Sequence, residues 1–114
     1  MTLDWTKEFP GAITVCDTDG RIISMNDRSR EDFASDGGAA LMGTNVLDCH
    51  PEPSRTKLAG LLASGRPNVY TIEKRGKKKL ILQAPWFRDG ALSGLVELSF
   101  EIPREMPHFN RDKA

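Results

Sequence analysis

The chain is poor in cysteine, with only Cys16 and Cys49 among 114 residues. Two cysteines do not make a disulfide scaffold, and a reducing cytoplasm is the simplest setting for them. It also lacks an excess of either charge: 16 basic residues balance 16 acidic ones. Proteins that hold nucleic acid through its phosphates carry a basic surplus, so no nucleic-acid partner is expected. There is no apolar run long enough to cross a bilayer, and no membrane partner is expected. The first ten residues, MTLDWTKEFP, carry Asp4, Lys7 and Glu8 and so form no signal-peptide core. The expectation is a cytoplasmic protein. What is present, 39% hydrophobic and 28% charged residues, is the composition of a folded globular domain, and the length suits a single core.

Hydrophobic periodicity divides the chain into three parts. Leu3, Trp5 and Phe9 predict an N-terminal helical segment over residues 1–9, ended by Pro10-Gly11. Ile13 and Val15 then alternate, Asp19-Gly20 follows, and Ile22 and Ile23 resume the extended pattern, which predicts a β-hairpin. In the middle, Asn26 or Asp27 caps a short helix to Phe33. Irregular turns span 39–50, and a clearer helix runs from Pro53-Ser54 to Ser64, with Gly65 placed to end it. The last third is extended again over 69–74, 79–87 and 92–102, with turns at Arg75-Gly76-Lys77 and Asp89-Gly90. Pro103 cannot donate to a ladder, so the sheet should stop there. In the last run Leu92, Val96, Leu98, Phe100 and Ile102 share one parity. They are therefore expected to face the helices, in one core with Leu58 and Leu61.

A hairpin, a helical middle and a three-stranded meander in about one hundred residues resemble the PAS sensor domain. "ITVCDTDGRIISMN" looks like that family's first hairpin, ending in the Asn that opens the next helix. "LMGTNVLDCHPEPSRTKLAGLLASGRP" is similar to its segment leading from a Gly through a His-Pro motif to a helix and a second Gly. "WFRDGALSGLVELSF" resembles its closing hairpin. Asp48-Cys49-His50-Pro51 looks like a subgroup with a Cys-His-Pro motif at this point. The resemblance implies an α+β fold: a five-stranded antiparallel sheet with short helices on one face, over residues 10–103, followed by a C-terminal tail, 104–114. It also implies a sensory or regulatory role in signal transduction, such as regulation of transcription, and no enzymatic activity.

Such a domain binds ligands between the sheet and its short helices, and Cys49, His50, Tyr70, Gln83 and Trp86 are placed near that pocket as candidate cofactor-binding residues. For each, ordinary packing is the competing reading; His50 can equally bond a backbone carbonyl. The cofactor is not identified. Flavin adduct chemistry needs a Cys where this chain has Val46, in Gly43-Thr44-Asn45-Val46. Haem would draw on His50 or Cys49. A zinc site from Cys16, Cys49, His50 and His108 lacks the close pairs of structural sites, and no metal is expected. Cys49 and His50 are sequence neighbours, which does not aim the imidazole at the thiol for nucleophilic catalysis. The basic cluster Lys74, Arg75, Lys77, Lys78 and Lys79 reads as a solvated turn.

The expected partners are a small-molecule ligand, a second copy of the chain and a separate signalling protein. Two rivals remain. One is a ligand-free structural dimerisation module, which a filled core would favour. The other is a small isomerase-like enzyme, which needs a buried, shifted acid or base, with Glu97, Glu73 and Asp48 to be inspected. The homodimer is expected through the sheet's outer face, with Ile81, Phe87 and Leu95 as its apolar residues, or through Leu3, Trp5 and Phe9.

Overall fold

A computed structural model describes residues 3–112, with Cys49 described by its backbone alone. Met1, Thr2, Lys113 and Ala114, at the ends of the two expected terminal segments, lie outside the described residues. Five strands form one antiparallel sheet: β1 (Ala12–Asp17), β2 (Ile22–Met25), β3 (Asn68–Lys74), β4 (Lys77–Arg88) and β5 (Ala91–Ile102), in the order β2-β1-β5-β4-β3. Between β2 and β3 run α1 (Asp27–Asp32), three 3-10 turns (Ala34–Asp36, Gly38–Leu41, Val46–Cys49) and α2 (Ser54–Ser64).

Local chemistry accounts for these boundaries. The β1–β2 turn closes when Asp17 Oδ1 accepts from the amides of Asp19 and Arg21, at 3.0 and 2.9 Å. The β3–β4 and β4–β5 turns are each two residues long. Arg75-Gly76 and Asp89-Gly90 all have positive φ, as a type I′ hairpin requires. Asn26 caps α1 by accepting from the Ser29 amide at 3.0 Å, and the same oxygen accepts from the Ile13 amide of β1 at 2.8 Å. Its amide nitrogen donates to the carbonyls of Thr6 and Gly11, so one buried side chain ties four segments together.

The N-terminal segment, expected as a helical turn or two, forms a single turn. Residues 5–8 form a turn, with the Phe9 amide donating to Thr6. The carbonyls of Thr6 and Lys7 bond Asn26 and the Asp27 amide, and so do not serve a continuing helix. Phe9 lies against Gly11 and Phe100 on the sheet, and Trp5 meets Phe9 edge-on at 5.7 Å between centroids.

The expected core also needs correction. Leu58 packs with Cys16 and Leu95, flanked by Val46, Leu47 and Leu62. Strand parity therefore turns Leu95, Glu97 and Ser99 toward the helices and Val96, Leu98 and Phe100 away from them. The outer face is built from rows such as Val69–Leu82–Leu98–Ile13, one residue from each of four strands. Ile81 and Leu95, expected on the outer face, are both 5% exposed under the helices. β5 carries apolar residues on both faces, so hydrophobicity alone does not reveal which face is covered.

Candidate functional site

The inner face of the sheet is unusually polar at its centre. The register sets Asn68, Gln83, Glu97 and Thr14 side by side across β3, β4, β5 and β1. Asn68 Nδ2 donates to Gln83 Oε1 at 3.0 Å, and Gln83 Nε2 donates to Glu97 Oε1 at 3.0 Å. This chain fixes the orientation of both amides, because Gln83 has its oxygen engaged by one neighbour and its nitrogen by the other. Thr14 continues the row and pairs with the fully buried hydroxyl of Ser29, 2.6 Å away on α1.

His50 reaches this row from the opposite side. It follows the 3-10 turn Val46–Cys49, and its Nδ1 lies 2.6 Å from the Val46 carbonyl oxygen. Nδ1 is therefore the protonated nitrogen, which leaves Nε2 to serve another partner. The backbone bond anticipated for His50 and its place beside the sheet coexist.

Between sheet and helices lies a cleft in two lobes. One, of about 270 Å³, lies beside α2, with Leu58, Leu61, Asn68 and Gln83 in its wall. The other, of about 240 Å³, lies toward α1, with Phe33, Ile72, Ile81 and Ser99. His50, Tyr70 and Glu97 line both. A pocket of about 40 Å³ beneath them adds Cys16, Val46 and Leu95. A wider furrow of about 550 Å³ runs between α1 and the β3–β4 turn, lined by Arg28, Glu31, Asp32 and the lysines of the turn. Its charges pair with one another, as in Lys79–Asp32 at 3.6 Å and Arg28–Glu31 at 3.4 Å, which suits a solvated surface.

Burial pushes the Glu97 carboxyl above its ordinary range, offset in part by the hydrogen bond from Gln83 and by the charge of His50. Burial likewise raises the Tyr70 phenol, with a contribution from Glu97, and raises the Cys16 thiol, so Cys16 is a neutral core residue and no nucleophile. The other two carboxylates singled out from the sequence are exposed: Glu73 pairs with Arg104 at 3.6 Å and Asp48 with Arg55 at 4.0 Å. Among the described residues no three His, Cys, Asp or Glu side chains gather into a metal-binding set.

Of the residues anticipated for the pocket, His50, Tyr70 and Gln83 come together in the cleft. The Cys49 side chain lies outside what the structure describes. Trp86 sits elsewhere, at the end of β4, where its indole crosses Gly94 and donates to the Cys16 carbonyl at 2.9 Å. A Cβ at Gly94 would stand 1.9 Å from that carbonyl oxygen and 2.6 Å from the indole nitrogen, and its φ of +148° itself disfavours a side chain. Asn68 and Thr14 were not anticipated as pocket residues, and Glu97 only as a candidate acid or base of the isomerase-like rival. For Glu97 the signal was the polar parity of β5, which follows a cleft here and not solvent.

A family model described as the PAS fold matches residues 6–65. The comparison with curated proteins finds no match. Among solved structures, the PAS domain of BvgS from Bordetella pertussis is similar at 18% identity and a TM-score of 0.65, over 87% of this chain and 82% of that one. A sensory box sensor histidine kinase from Vibrio cholerae is similar at 15% identity and a TM-score of 0.61, over 84% and 85%. A Vibrio cholerae receptor described as a dual PAS-heme oxygen sensor is similar at 16% identity and 0.60, over 82% and 95%. With the antiparallel sheet, the short helices on one face and a family match over more than half its length, this chain belongs to the PAS fold family.

Proposed function

We propose that this domain is a sensory module that takes up a small molecule in the cleft between sheet and helices and passes the change on by protein–protein contact. The observation that carries this reading is the polar row Asn68–Gln83–Glu97, oriented and set opposite His50 and Tyr70 in a cleft between sheet and helices. A purely structural module has no need of it, since a filled apolar core would be more stable than a half-buried carboxyl. The sensor descriptions of the two Vibrio proteins support the same reading. The relay would run along β5, which carries Glu97 at its centre and leads into the segment where Arg104 bonds Glu73 and the Gly76 carbonyl. A ligand that moves Glu97 then shifts a two-state packing of sheet and C-terminal segment.

Partners follow from the outer face. We expect a second copy of the chain on the rows Val69–Leu82–Leu98–Ile13 and Ala84–Val96–Val15, with Trp5 at 63% exposure at their margin. A separate signalling protein would receive the output. A second reading, small-molecule acid–base chemistry, is favoured by one feature, the raised Glu97 carboxyl in a cleft. The deciding experiment is native mass spectrometry and an absorption spectrum of protein purified from its own host. A bound small molecule that is lost when His50→Trp fills the cleft supports the sensor. An empty domain, with no ligand recovered under any gentle condition and no chemical-shift response to a metabolite extract, overturns it.

A further inference from the structure

The seven ion pairs among the described residues leave Glu97 out. Its sole described hydrogen-bond donor is Gln83, on Oε1. Among the described residues Oε2 has no hydrogen-bond donor, in a wall that both lobes share. A carboxylate taken largely out of water and given one neutral donor is an acceptor in search of a donor. Its neighbours relieve this only in part, through the charge of His50. His50 already gives Nδ1 to the Val46 carbonyl, Cys16 is a neutral thiol, and Tyr70 is a phenol whose ring forms the wall of both lobes. Of the lysines that line one lobe or the other, Lys79 is held by Asp32, and Lys57 and Lys74 are exposed.

We propose that the cleft selects a small organic cation, an amine or amidine whose N–H groups bond Glu97 Oε2 and whose charge lies against the Tyr70 ring. This rests on the ligand-binding reading above and names the class of ligand. A charge-assisted bond to a partly desolvated carboxylate is about twice as strong as a neutral one, and an aromatic face adds to it. The apolar side chains Leu58, Leu61 and Leu95 suit a hydrophobic body attached to the cationic head. Glu97 lines both lobes, whereas Lys57 lines only one and Lys74 and Lys79 only the other, so the carboxylate is the charge a ligand meets in either lobe.

Three ligands of one shape test this: benzylammonium, benzyl alcohol and benzoate, titrated at millimolar concentration into the full chain while backbone amide shifts are followed by NMR. Benzylammonium should shift the amides of residues 83 and 95–97, and should bind at least about tenfold more tightly than benzyl alcohol at pH 7.5. Glu97→Gln, which keeps the Gln83 contact and the side-chain volume, should erase that preference while leaving benzyl alcohol within about twofold. Wild-type affinity for benzylammonium should rise from pH 4 to pH 7.5 as Glu97 gives up its proton. His50 faces Glu97 across the cleft, and the Glu97→Gln variant, which retains His50, isolates the Glu97 contribution. Benzyl alcohol binding as well as benzylammonium, or benzoate binding best, overturns the cation selectivity and leaves the ligand cleft standing. If none of the three moves these amides, the small-molecule reading of the cleft falls with it.

Discussion

At the residue scale, two positions concentrate the constraints. Gly94 is the place where a β4 indole crosses β5 to reach a β1 carbonyl, and neither the space nor the φ admits a side chain. Gly94→Ala should cost roughly 2–4 kcal/mol in urea unfolding, with a shift of Trp86 fluorescence in the folded state as the indole loses its acceptor. An unchanged spectrum would show that the indole bond does not depend on the glycine. Glu97 acts in the opposite sense. Its carboxyl titrates above the ordinary value in the folded protein, so the folded state holds its proton more tightly than the unfolded chain does. The stability from that protonation is complete below the ordinary glutamate range and is lost as pH rises through the folded value. Glu97→Gln should therefore raise the melting temperature at pH 7.5 and change it little at pH 4. Equal shifts at the two pH values would mean that burial of the charge is not the cause.

At the element scale, β5 has two faces of different purpose. Leu95 is 5% exposed in the cluster with Cys16 and Leu58, whereas Leu98 is half-buried in the outer row. Leu95→Ala should cost about 2–5 kcal/mol, and Leu98→Ala at most about 1.5 kcal/mol when measured at concentrations where the chain is monomeric. Chemical denaturation of the two variants checks this, and the reverse order would restore the parity suggested by hydrophobicity alone. The helices supply little of the core themselves: Leu58 is the buried residue of α2, and Ser29 that of α1. Their part is to roof the cleft, through the Thr14–Ser29 hydroxyl pair on one side and His50 and Leu58 on the other.

At the scale of the whole molecule, the apolar outer face remains half covered. Phe9 seals its end at Gly11 and Phe100, while Val69 is 56% exposed at its β3 side. Sedimentation at micromolar concentration should show a dimer, and Leu98→Asp should return it to a monomer with an unchanged far-ultraviolet circular dichroism spectrum. A wild-type monomer at these concentrations would assign the face to a different partner. No described helix is long and apolar enough to cross a membrane.

The amino-acid pattern alone determined the order of elements, and with it the fold. Asp19-Gly20, Gly76 and Asp89-Gly90 mark turns through their backbone freedom, Asn26 marks the start of α1, and Gly65 the end of α2. These are local effects, settled within a few residues. That His50, Tyr70 and Gln83 line the cleft was legible through the resemblance of that element order to the PAS sensor domain. Tertiary structure alone decided which face of the sheet the helices cover. A polar row lining a cleft and a polar row meeting water have the same period, and β5 carries leucines on both sides. Only the packing of Leu58 on Leu95 and Cys16 distinguishes them, and so places Glu97 inside, beside His50, and sends Trp86 to the sheet's far end. The docking of the N-terminal turn was decided in the same way: Asn26, twenty residues away from Thr6, bonds its carbonyl, a contact that no local periodicity records.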